Sequence, residues 1–572
     1  MKYLKVIALL FFVVLAGCTP KKNASAELSK VISTYENREG YDKKQYPLGL
    51  FTKDYYKDEA DYAQKTIDSL SEIAMDNLSE TENISLELLK FTLQENIDFY
   101  EYEAYLNPLL SDSGFHTSLP YSVRSFSTHQ QFVDYLKKLN AFPTFVEQHI
   151  ALMREGLEKG ISQPKIIFND FEDTYDSQIV DNFEDSFYYS PFKQLPANLS
   201  MQQKDSLLTA AKIVIVEKVI PQFKVIKSFF EDEYFVKTRA EGGVSNQKNG
   251  KEYYQNRVNY YTASKISSEE VHQIGLREVA RIKAEMQKII EEVNFKGSFE
   301  EFLTFLRTDE QFYAKTADDL LKEARNIAKK IDAQLPKFFI TLPRKPYGVA
   351  PVPDAIAPKY TGGRYLSAGD NSTQPGYYWV NTYDLKSRPL YILPSLTLHE
   401  AVPGHHLQMS LNSELSEEIP KFRRDLYLSA YGEGWGLYSE YLGNEMGMYT
   451  TPYEEFGKLT YEMWRACRLV VDTGIHSKNW TREQAVEYLK SNTALSIHEV
   501  NTEIDRYISW PGQALSYKIG ELKIRELRKK AEEALGNKFD IREFHEIILR
   551  EGTVTLSILE KRILNYIEKN KK

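Results

Sequence analysis

The feature that most constrains this chain is a helical hydrophobic pattern that extends from about residue 26 to about residue 335. Apolar side chains recur at three- and four-residue spacing in segments such as EADYAQKTIDSLSEIAMDNL and SSEEVHQIGLREVARIKAEMQKIIEEV. The alternation that is typical of strands is rare there. Because the chain has 572 residues, far more than one minimal core needs, the pattern predicts a mainly α, large multi-helix fold with two lobes.

A loop rich in proline, glycine and aromatic residues, RKPYGVAPVPDAIAPKYTGGRY at residues 344–365, interrupts the helical pattern. We interpret this loop as the boundary between the lobes. The prediction is an N-terminal helical lobe at residues 27–343 and a C-terminal part at residues 344–572, which carries the motifs that suggest chemistry.

The N-terminus is predicted to lie outside the fold. Residues 1–17 have a basic start and a short apolar run, which is typical of a signal peptide and too short to span a bilayer. The segment from Leu15 to Cys18 resembles a bacterial lipobox, so residues 18–26 are predicted to be a lipidated Cys18 and its tether. The alternative is a plain signal peptide with an incidental cysteine. The predicted location is the cell envelope, at the outer membrane if the cell is Gram-negative, because Thr19 and not aspartate follows Cys18.

Charge and cysteine content argue against a nucleic-acid partner and against an intramolecular disulfide. The net charge is −9 and the pI is near 5.8, whereas a nucleic-acid-binding surface needs an excess of Lys and Arg. After loss of the signal peptide and lipidation of Cys18, Cys467 is the remaining thiol. Neither a nucleic-acid partner nor an intramolecular disulfide is therefore expected.

A short run of strand-forming residues, PGYYWVNTYD at residues 375–384, follows the boundary loop. It predicts a small β element near the segment discussed next. As an edge strand it would hold an extended peptide by backbone pairing. The alternative is an aromatic hairpin that only covers the core.

The segment LTLHEAVPGHHLQ at residues 396–408 holds three of the ten histidines of the chain beside a glutamate. Neutral imidazoles bind a metal that activates water, and a nearby carboxylate takes the proton. His399 and Glu400 are predicted to lie on a helix that begins after Pro394. The segment indicates a zinc site, and the alternative is a packed cluster of histidines.

The spacing differs from the common zinc-peptidase motif, in which the second histidine follows the first by four residues. Here that position is Pro403, which cannot bind metal and interrupts a helix. On an ideal helix His405 lies about 240° around from His399, and His406 lies about 10 Å further along the axis. One ion can therefore reach a second histidine only if the chain turns irregularly at Pro403 and Gly404.

The segment YLSAYGEGWGLYSEYLGNEMG at residues 427–447 is predicted to be a helix. Glu433 and Glu440 are seven residues apart, so they lie on nearly the same face, two turns apart. Either glutamate can supply the third ligand. The apolar neighbours suggest a buried setting, in which a carboxylate needs a charge partner.

Several motifs of the C-terminal half resemble the bacterial family known as domain of unknown function 885: HEAVPGHHLQ, GEGWGLYSE, RACRLVVDTGIH, RYISWPGQALSYKIG and FHEIILREG. Members of the family resemble zinc-dependent oligopeptidases of the gluzincin type, with a helical fold similar to the class of oligopeptidases and angiotensin-converting enzyme. The resemblance therefore implies a peptidase-like fold and hydrolysis of peptide substrates.

The resemblance also implies a ligand set. A Gly-His pair ends the zinc helix motif in the wider class, which implies His405 as the second ligand after His399, with His406 as the alternative. GEGWGLYSE is similar to the Asn-Glu-Gly-Phe-Ala segment of the aminopeptidase zincins, in which the glutamate before the glycine binds zinc. This similarity implies Glu433 as the third ligand.

The implied catalytic residues are Glu400, His476 and Tyr517. Glu400 would be the general base, while His476 and Tyr517 match, by order along the chain, the His and Tyr that stabilise the oxyanion in the wider class. Arg468 or Arg506 could clamp a substrate carboxylate, the alternative being a structural ion pair. Two other functions stay open: a substrate-binding lipoprotein of a nutrient-uptake system, and a zinc protein without activity.

Overall fold

The structure is a computed structural model that describes residues 23–240, 242–354, 357, 360–369 and 374–571. The signal peptide predicted for residues 1–17 and the lipid site predicted at Cys18 lie outside the described residues. Cys467 is a buried free thiol. None of the helices described within these ranges is both long and apolar enough to cross a bilayer.

Helices dominate the chain on both sides of a small sheet, as the hydrophobic pattern predicts. Those before the sheet are α1 (Ala24–Glu36), α2 (Lys53–Ser71), α3 (Glu80–Glu101), α4 (His129–Lys159), α5 (Asp173–Asp176), α6 (Met201–Val214), α7 (Ile220–Ser228), α8 (Phe235–Lys237), α9 (Gly250–Thr262), α10 (Ser268–Glu292), α11 (Phe299–Thr308), α12 (Ala317–Asp332) and α13 (Leu335–Phe338). Those after it are α14 (Leu393–Glu400), α15 (His405–Ser413), α16 (Lys421–Asp425), α17 (Ser429–Leu442), α18 (Pro452–Lys478), α19 (Arg482–Asn492), α20 (Ile497–Ser509), α21 (Ser516–Leu535), α22 (Ile541–Leu549) and α23 (Leu556–Asn570).

The sheet has three strands, β1 (Tyr347–Pro351), β2 (Gly363–Leu366) and β3 (Gly376–Val380), in the order β1-β3-β2. β1 pairs with β3 in parallel and β2 pairs with β3 antiparallel. The strand predicted within residues 375–384 is thus present, but its assignment to an edge is wrong, because β3 is hydrogen-bonded on both sides. Sheet order depends on partners distant in sequence, which the pattern of one strand does not reveal.

Helix α18 is the centre of the C-terminal part. Its first turn is stabilised by a capping box. The Thr451 side chain accepts from Glu454 N, and the Glu454 side chain accepts from Thr451 N. Every residue from Phe456 to His476 is buried, so this helix is covered on all sides. Side chains that α18 directs toward its neighbours are therefore held rigidly.

One continuous hydrophobic core extends from Ile84 of α3 to Ile567 of α23. Leu398 of α14 and Trp435 of α17 belong to this core, so the segments with the predicted ligands rest on well-packed helices. The mainly α, multi-helix fold with a small β element is confirmed. The division into lobes at residue 344 stays a prediction.

Candidate functional site

The histidine segment consists of two short helices joined by a sharp break. Helix α14 ends at Glu400 and helix α15 begins at His405. At the break Gly404 N donates to Leu398 O at 3.0 Å, which folds the chain back over the end of α14. A Cβ on Gly404 would lie 1.9 Å from His399 O, so this close approach requires glycine.

The break brings the rings of His399 and His405 together, with centroids 4.7 Å apart and planes at 87°. Trp435 fixes the break from the neighbouring helix, because its Nε1 donates to Pro403 O at 2.7 Å. Both imidazoles are thus placed by backbone geometry and by packing against α17. Such placement is what a metal site requires of its ligands.

Glu433 of α17 completes a three-sided arrangement with the two histidines. Its Oε2 lies 3.4 Å from His399 Nε2 and 3.4 Å from His405 Nε2. These contacts are longer than ordinary hydrogen bonds of about 2.7–3.2 Å. Two ligands at about 2.1 Å from one ion at the tetrahedral angle lie about 3.4 Å apart. Each nitrogen is therefore separated from this oxygen by the distance that two ligands of one tetrahedral zinc ion have.

The other ring nitrogen of His399, Nδ1, is fixed by Glu440, which lies on α17 together with Glu433. His399 Nδ1 donates to Glu440 Oε1 at 2.8 Å, which leaves Nε2 unprotonated and directed toward Glu433 when the ring is neutral. A carboxylate behind a histidine ligand is a common feature of zinc sites. The ring of His405 lacks this support, since its buried Nδ1 has no hydrogen-bond partner among the described residues.

The electrostatics of the cluster favour positive charge. Burial lowers the pKa of His399, but hydrogen bonds to Glu433 and Glu440 outweigh burial and raise this pKa to about 9. Burial raises the pKa of Glu433, but His405 and His399 outweigh it and hold this pKa well below its usual range. A cation between these side chains would be stabilised by the same carboxylates.

Glu400 lies beside the pair of imidazoles. One of its oxygens lies within 4.8 Å of a ring nitrogen of His399 and of His405, and its Oε2 accepts from Tyr365 N of β2 at 2.8 Å. Glu400 could thus compete with Glu433 as third ligand. The geometry favours Glu433, since its Oε2 is equidistant from both Nε2 atoms, whereas Oε2 of Glu400 already accepts a hydrogen bond.

Two tyrosines lie at the cluster. The ring of Tyr517, a residue predicted for the site, stacks with His399 at 6.4 Å between centroids and 21° between planes. Tyr427, which sequence analysis missed, donates its hydroxyl to Glu433 Oε1 at 2.9 Å. This bond occupies the oxygen that faces away from the histidines and leaves Oε2 for a metal.

His406, the alternative ligand, lies outside this arrangement. Its Nδ1 is 2.9 Å from the Tyr365 hydroxyl and 3.2 Å from the Ser410 hydroxyl, and its ring contacts Tyr347. Burial lowers the pKa of His406 to about 4, so the ring is neutral at pH 7. His406 thus supports strand β2, which carries Tyr365, the hydrogen-bond partner of Glu400.

His476 does not fit the role of oxyanion donor predicted for it. Val244 N donates to His476 Nδ1 at 3.2 Å, and His476 Nε2 donates to Tyr507 O at 2.9 Å. The ring is fully buried and burial lowers its pKa to about 3. Both ring nitrogens are used by the backbone, so neither can reach a substrate. Order along the chain was the sole basis for this prediction.

A cavity of about 380 Å³ is lined by Tyr365 and Tyr427, which donate hydrogen bonds to Glu400 and Glu433. The side chains of His405 and Glu433 keep 10% and 14% of their surface exposed. Both side chains are thus partly accessible, and a cavity large enough for a small ligand lies at the hydrogen-bond partners of the two glutamates.

Replacing Gly436 by alanine is expected to weaken zinc binding by about 10–100-fold, the usual effect of a change that displaces a ligand's support. An added Cβ would lie 2.7 Å from His399 Cε1 and 2.8 Å from its Nε2, so the ring must move. Gly362→Ala is the control, since its Cβ would have nothing within 4 Å. Competition with a fluorescent zinc chelator measures both affinities, and equal values would show that His399 does not depend on this space.

Comparison with known proteins gives a family but no activity. The family model described as "Bacterial protein of unknown function (DUF885)" matches residues 34–563. No curated protein matches the chain. The solved structure of "the putative lipoprotein from Colwellia psychrerythraea" is 29% identical and superposes with a TM-score of 0.86, covering 96% of this chain and 98% of that one.

A second solved structure is "a putative lipoprotein of unknown function from Shewanella oneidensis". It is 19% identical, with a TM-score of 0.70, and the match covers 95% of this chain and 98% of that one. At this identity the likeness is one of fold alone. The chemistry must therefore be argued from the site itself.

Proposed function

This chain belongs to the DUF885 family of bacterial proteins of unknown function, and from its site we propose that it is a zinc-dependent peptidase that hydrolyses short peptides. The observation that carries the proposal is the position of Glu433 Oε2, 3.4 Å from the Nε2 atoms of His399 and His405. Two imidazoles and one carboxylate with an open fourth position are the usual ligands of catalytic zinc.

The residues fit zinc better than magnesium or calcium. Imidazole nitrogens suit zinc, whereas magnesium and calcium take oxygen ligands. Glu440 orients His399 from behind, and Tyr427 occupies the second oxygen of Glu433. His399, His405 and Glu433 would therefore hold the ion.

When bound, zinc would lower the pKa of water and polarise the scissile carbonyl. Glu400 would take a proton from the attacking water and later deliver it to the leaving amine. Its carboxylate is fixed for this by the hydrogen bond from Tyr365 N. Tyr517, whose ring stacks on His399, would donate its hydroxyl to the oxyanion.

The size of the cavity at Tyr365 and Tyr427 favours short peptides. Its volume of about 380 Å³ is near the lower end of ligand pockets, about 300–1,000 Å³. The strand that reaches the site is β2, whose Tyr365 N bonds Glu400. An extended peptide would therefore pair with the edge of β2, the role first predicted for β3.

The proposal is tested by hydrolysis of a peptide library, read by mass spectrometry. The zinc-loaded protein is expected to cleave short peptides, o-phenanthroline to abolish cleavage, and added zinc to restore it. Tight binding of peptides without cleavage would favour a substrate-binding lipoprotein instead. Bound zinc without cleavage would favour an inactive zinc protein.

We also propose that the mature chain is anchored to the cell envelope through Cys18, in keeping with the similar structures described as lipoproteins. Replacing Cys18 by alanine is expected to abolish incorporation of labelled palmitate and to release the chain from the membrane fraction. Cys467→Ala is the control, because that thiol is buried. Unchanged labelling of the Cys18 variant would contradict the anchor.

A further inference from the structure

Two arginines of α18, Arg465 and Arg468, have incomplete hydrogen bonding. They lie behind the metal cluster, by which we mean the proposed zinc ligands His399, His405 and Glu433. Their side chains are only 6% and 4% exposed. Arg465 Nε and Arg468 Nη1 are buried and have no hydrogen-bond partner among the described residues. A buried guanidinium with an unpaired donor is unfavourable unless a further acceptor completes it.

The two guanidinium groups are stacked among aromatic rings that connect them to the site. Both lie over Trp464, at 4.4 and 4.3 Å from the ring centre. Both also face Tyr517, at 5.9 Å for Arg465 and 4.2 Å for Arg468. Since the Tyr517 ring stacks on His399, the arginine pair is separated from the metal cluster by the thickness of one side chain.

The carboxylates near the pair do not neutralise it. Glu503 Oε2 is shared between Arg468 at 3.1 Å and Arg506 at 3.0 Å. Glu440 Oε1 lies 3.6 Å from Arg465 Nη2 but is already bonded to His399. Burial raises the pKa of the neighbouring Glu499 to about 7, so that group is partly protonated at neutral pH. Positive charge is therefore in excess.

Partly exposed side chains border this buried region. The side chains of Glu503 and Arg506 keep 16% and 19% of their surface exposed, and Tyr517 is half-buried. The Tyr517 hydroxyl has no hydrogen-bond partner among the described residues. Unpaired donors that can receive a small anionic group therefore lie next to side chains in contact with solvent.

We propose that Arg465 and Arg468 bind the free C-terminal carboxylate of the peptide substrate. This inference rests on the proposed peptidase function and adds the substrate class. The steps from His399 to Tyr517 and from Tyr517 to Arg468 are 6.4 and 4.2 Å. Together they do not exceed the length of about three extended residues, at about 3.3–3.6 Å each. The enzyme therefore cuts within the last three residues of a peptide with a free C-terminus.

The test compares tripeptides as free acids with the same tripeptides as C-terminal amides. The zinc-loaded enzyme is expected to cleave the free acids with a kcat/KM at least about tenfold higher, the effect of charge-assisted hydrogen bonds. Arg468→Lys keeps the charge but loses the planar fork, and it is expected to reduce this preference to less than about threefold. Arg482→Lys is the matched control, because Arg482 of α19 pairs with Asp505 of α20, and it should keep the full preference.

Binding is measured separately, so that failure of this inference is distinguished from failure of the proposed function. In the zinc-loaded Glu400→Gln protein, calorimetry with trialanine and trialaninamide is expected to show at least about tenfold tighter binding of the free acid. Arg468→Lys in that background should remove the difference. If cleavage fails but this difference is seen, the peptidase proposal fails and the carboxylate site stands. Equal binding of acid and amide, equal cleavage of both, or an unaltered preference in Arg468→Lys would overturn the inference.

Discussion

Glu400→Gln is expected to lower kcat/KM for peptide hydrolysis by about 10²–10⁴-fold while the zinc content stays unchanged. A general base contributes about this factor, and glutamine cannot accept the proton. The amide oxygen can still accept the hydrogen bond that Tyr365 N gives to Glu400, so the local structure should persist. Steady-state kinetics and metal analysis by mass spectrometry measure the two quantities on the same preparation.

Glu445→Gln is the matched control for this change. Glu445 lies just beyond α17 and pairs with Arg528, outside the metal cluster, and the same substitution there should leave kcat/KM within about twofold, as expected for a surface position. A Glu400→Gln variant that hydrolyses peptides at the parental rate would contradict the mechanism. Loss of zinc in that variant would instead make Glu400 a ligand.

His405→Ala is expected to reduce zinc affinity by more than about 100-fold, because loss of a ligand should exceed the 10–100-fold effect of changes in the surrounding shell. His406→Ala is expected to keep the zinc and to alter catalysis only, through its contact with Tyr365. The two variants are matched, since they remove the same side chain from adjacent positions on α15. Equilibrium dialysis against a zinc buffer measures both affinities.

The opposite pattern, in which His406→Ala loses zinc and His405→Ala keeps it, would contradict the ligand set. Loss of zinc from both variants would point to unfolding of α15, which circular dichroism would detect. The comparison therefore tests whether the break at Pro403 and Gly404 makes His405, six residues after His399, the second zinc ligand.

Much of this architecture can be predicted from the sequence because it is local. Helical periodicity indicates the multi-helix fold, and the Pro-Gly pair indicates a break within residues 396–408. The place of β3 in the centre of the sheet could not be predicted, because it depends on pairing with residues 347–351 and 363–366.

The site was predictable in its residue types and less so in its contacts. The spacing of Glu433 and Glu440 puts both on one face of α17, but which nitrogen of His399 each faces depends on how α14 packs against α17. Tyr427 gives no signal in the sequence, because it is one of 39 tyrosines and its two leucine neighbours do not indicate a contact with Glu433. The role predicted for His476 was wrong, because its position along the chain after Glu433 does not determine where its side chain points.

The most direct test of the proposed zinc site is anomalous diffraction at the zinc edge from crystals grown with zinc. One peak is expected, at about 2.0–2.1 Å from the Nε2 atoms of His399 and His405 and at about 2.0–2.2 Å from a Glu433 oxygen, with Glu440 behind His399. A peak on His406, a peak coordinated by Glu440 with Glu433 turned away, or no peak at the cluster would contradict it.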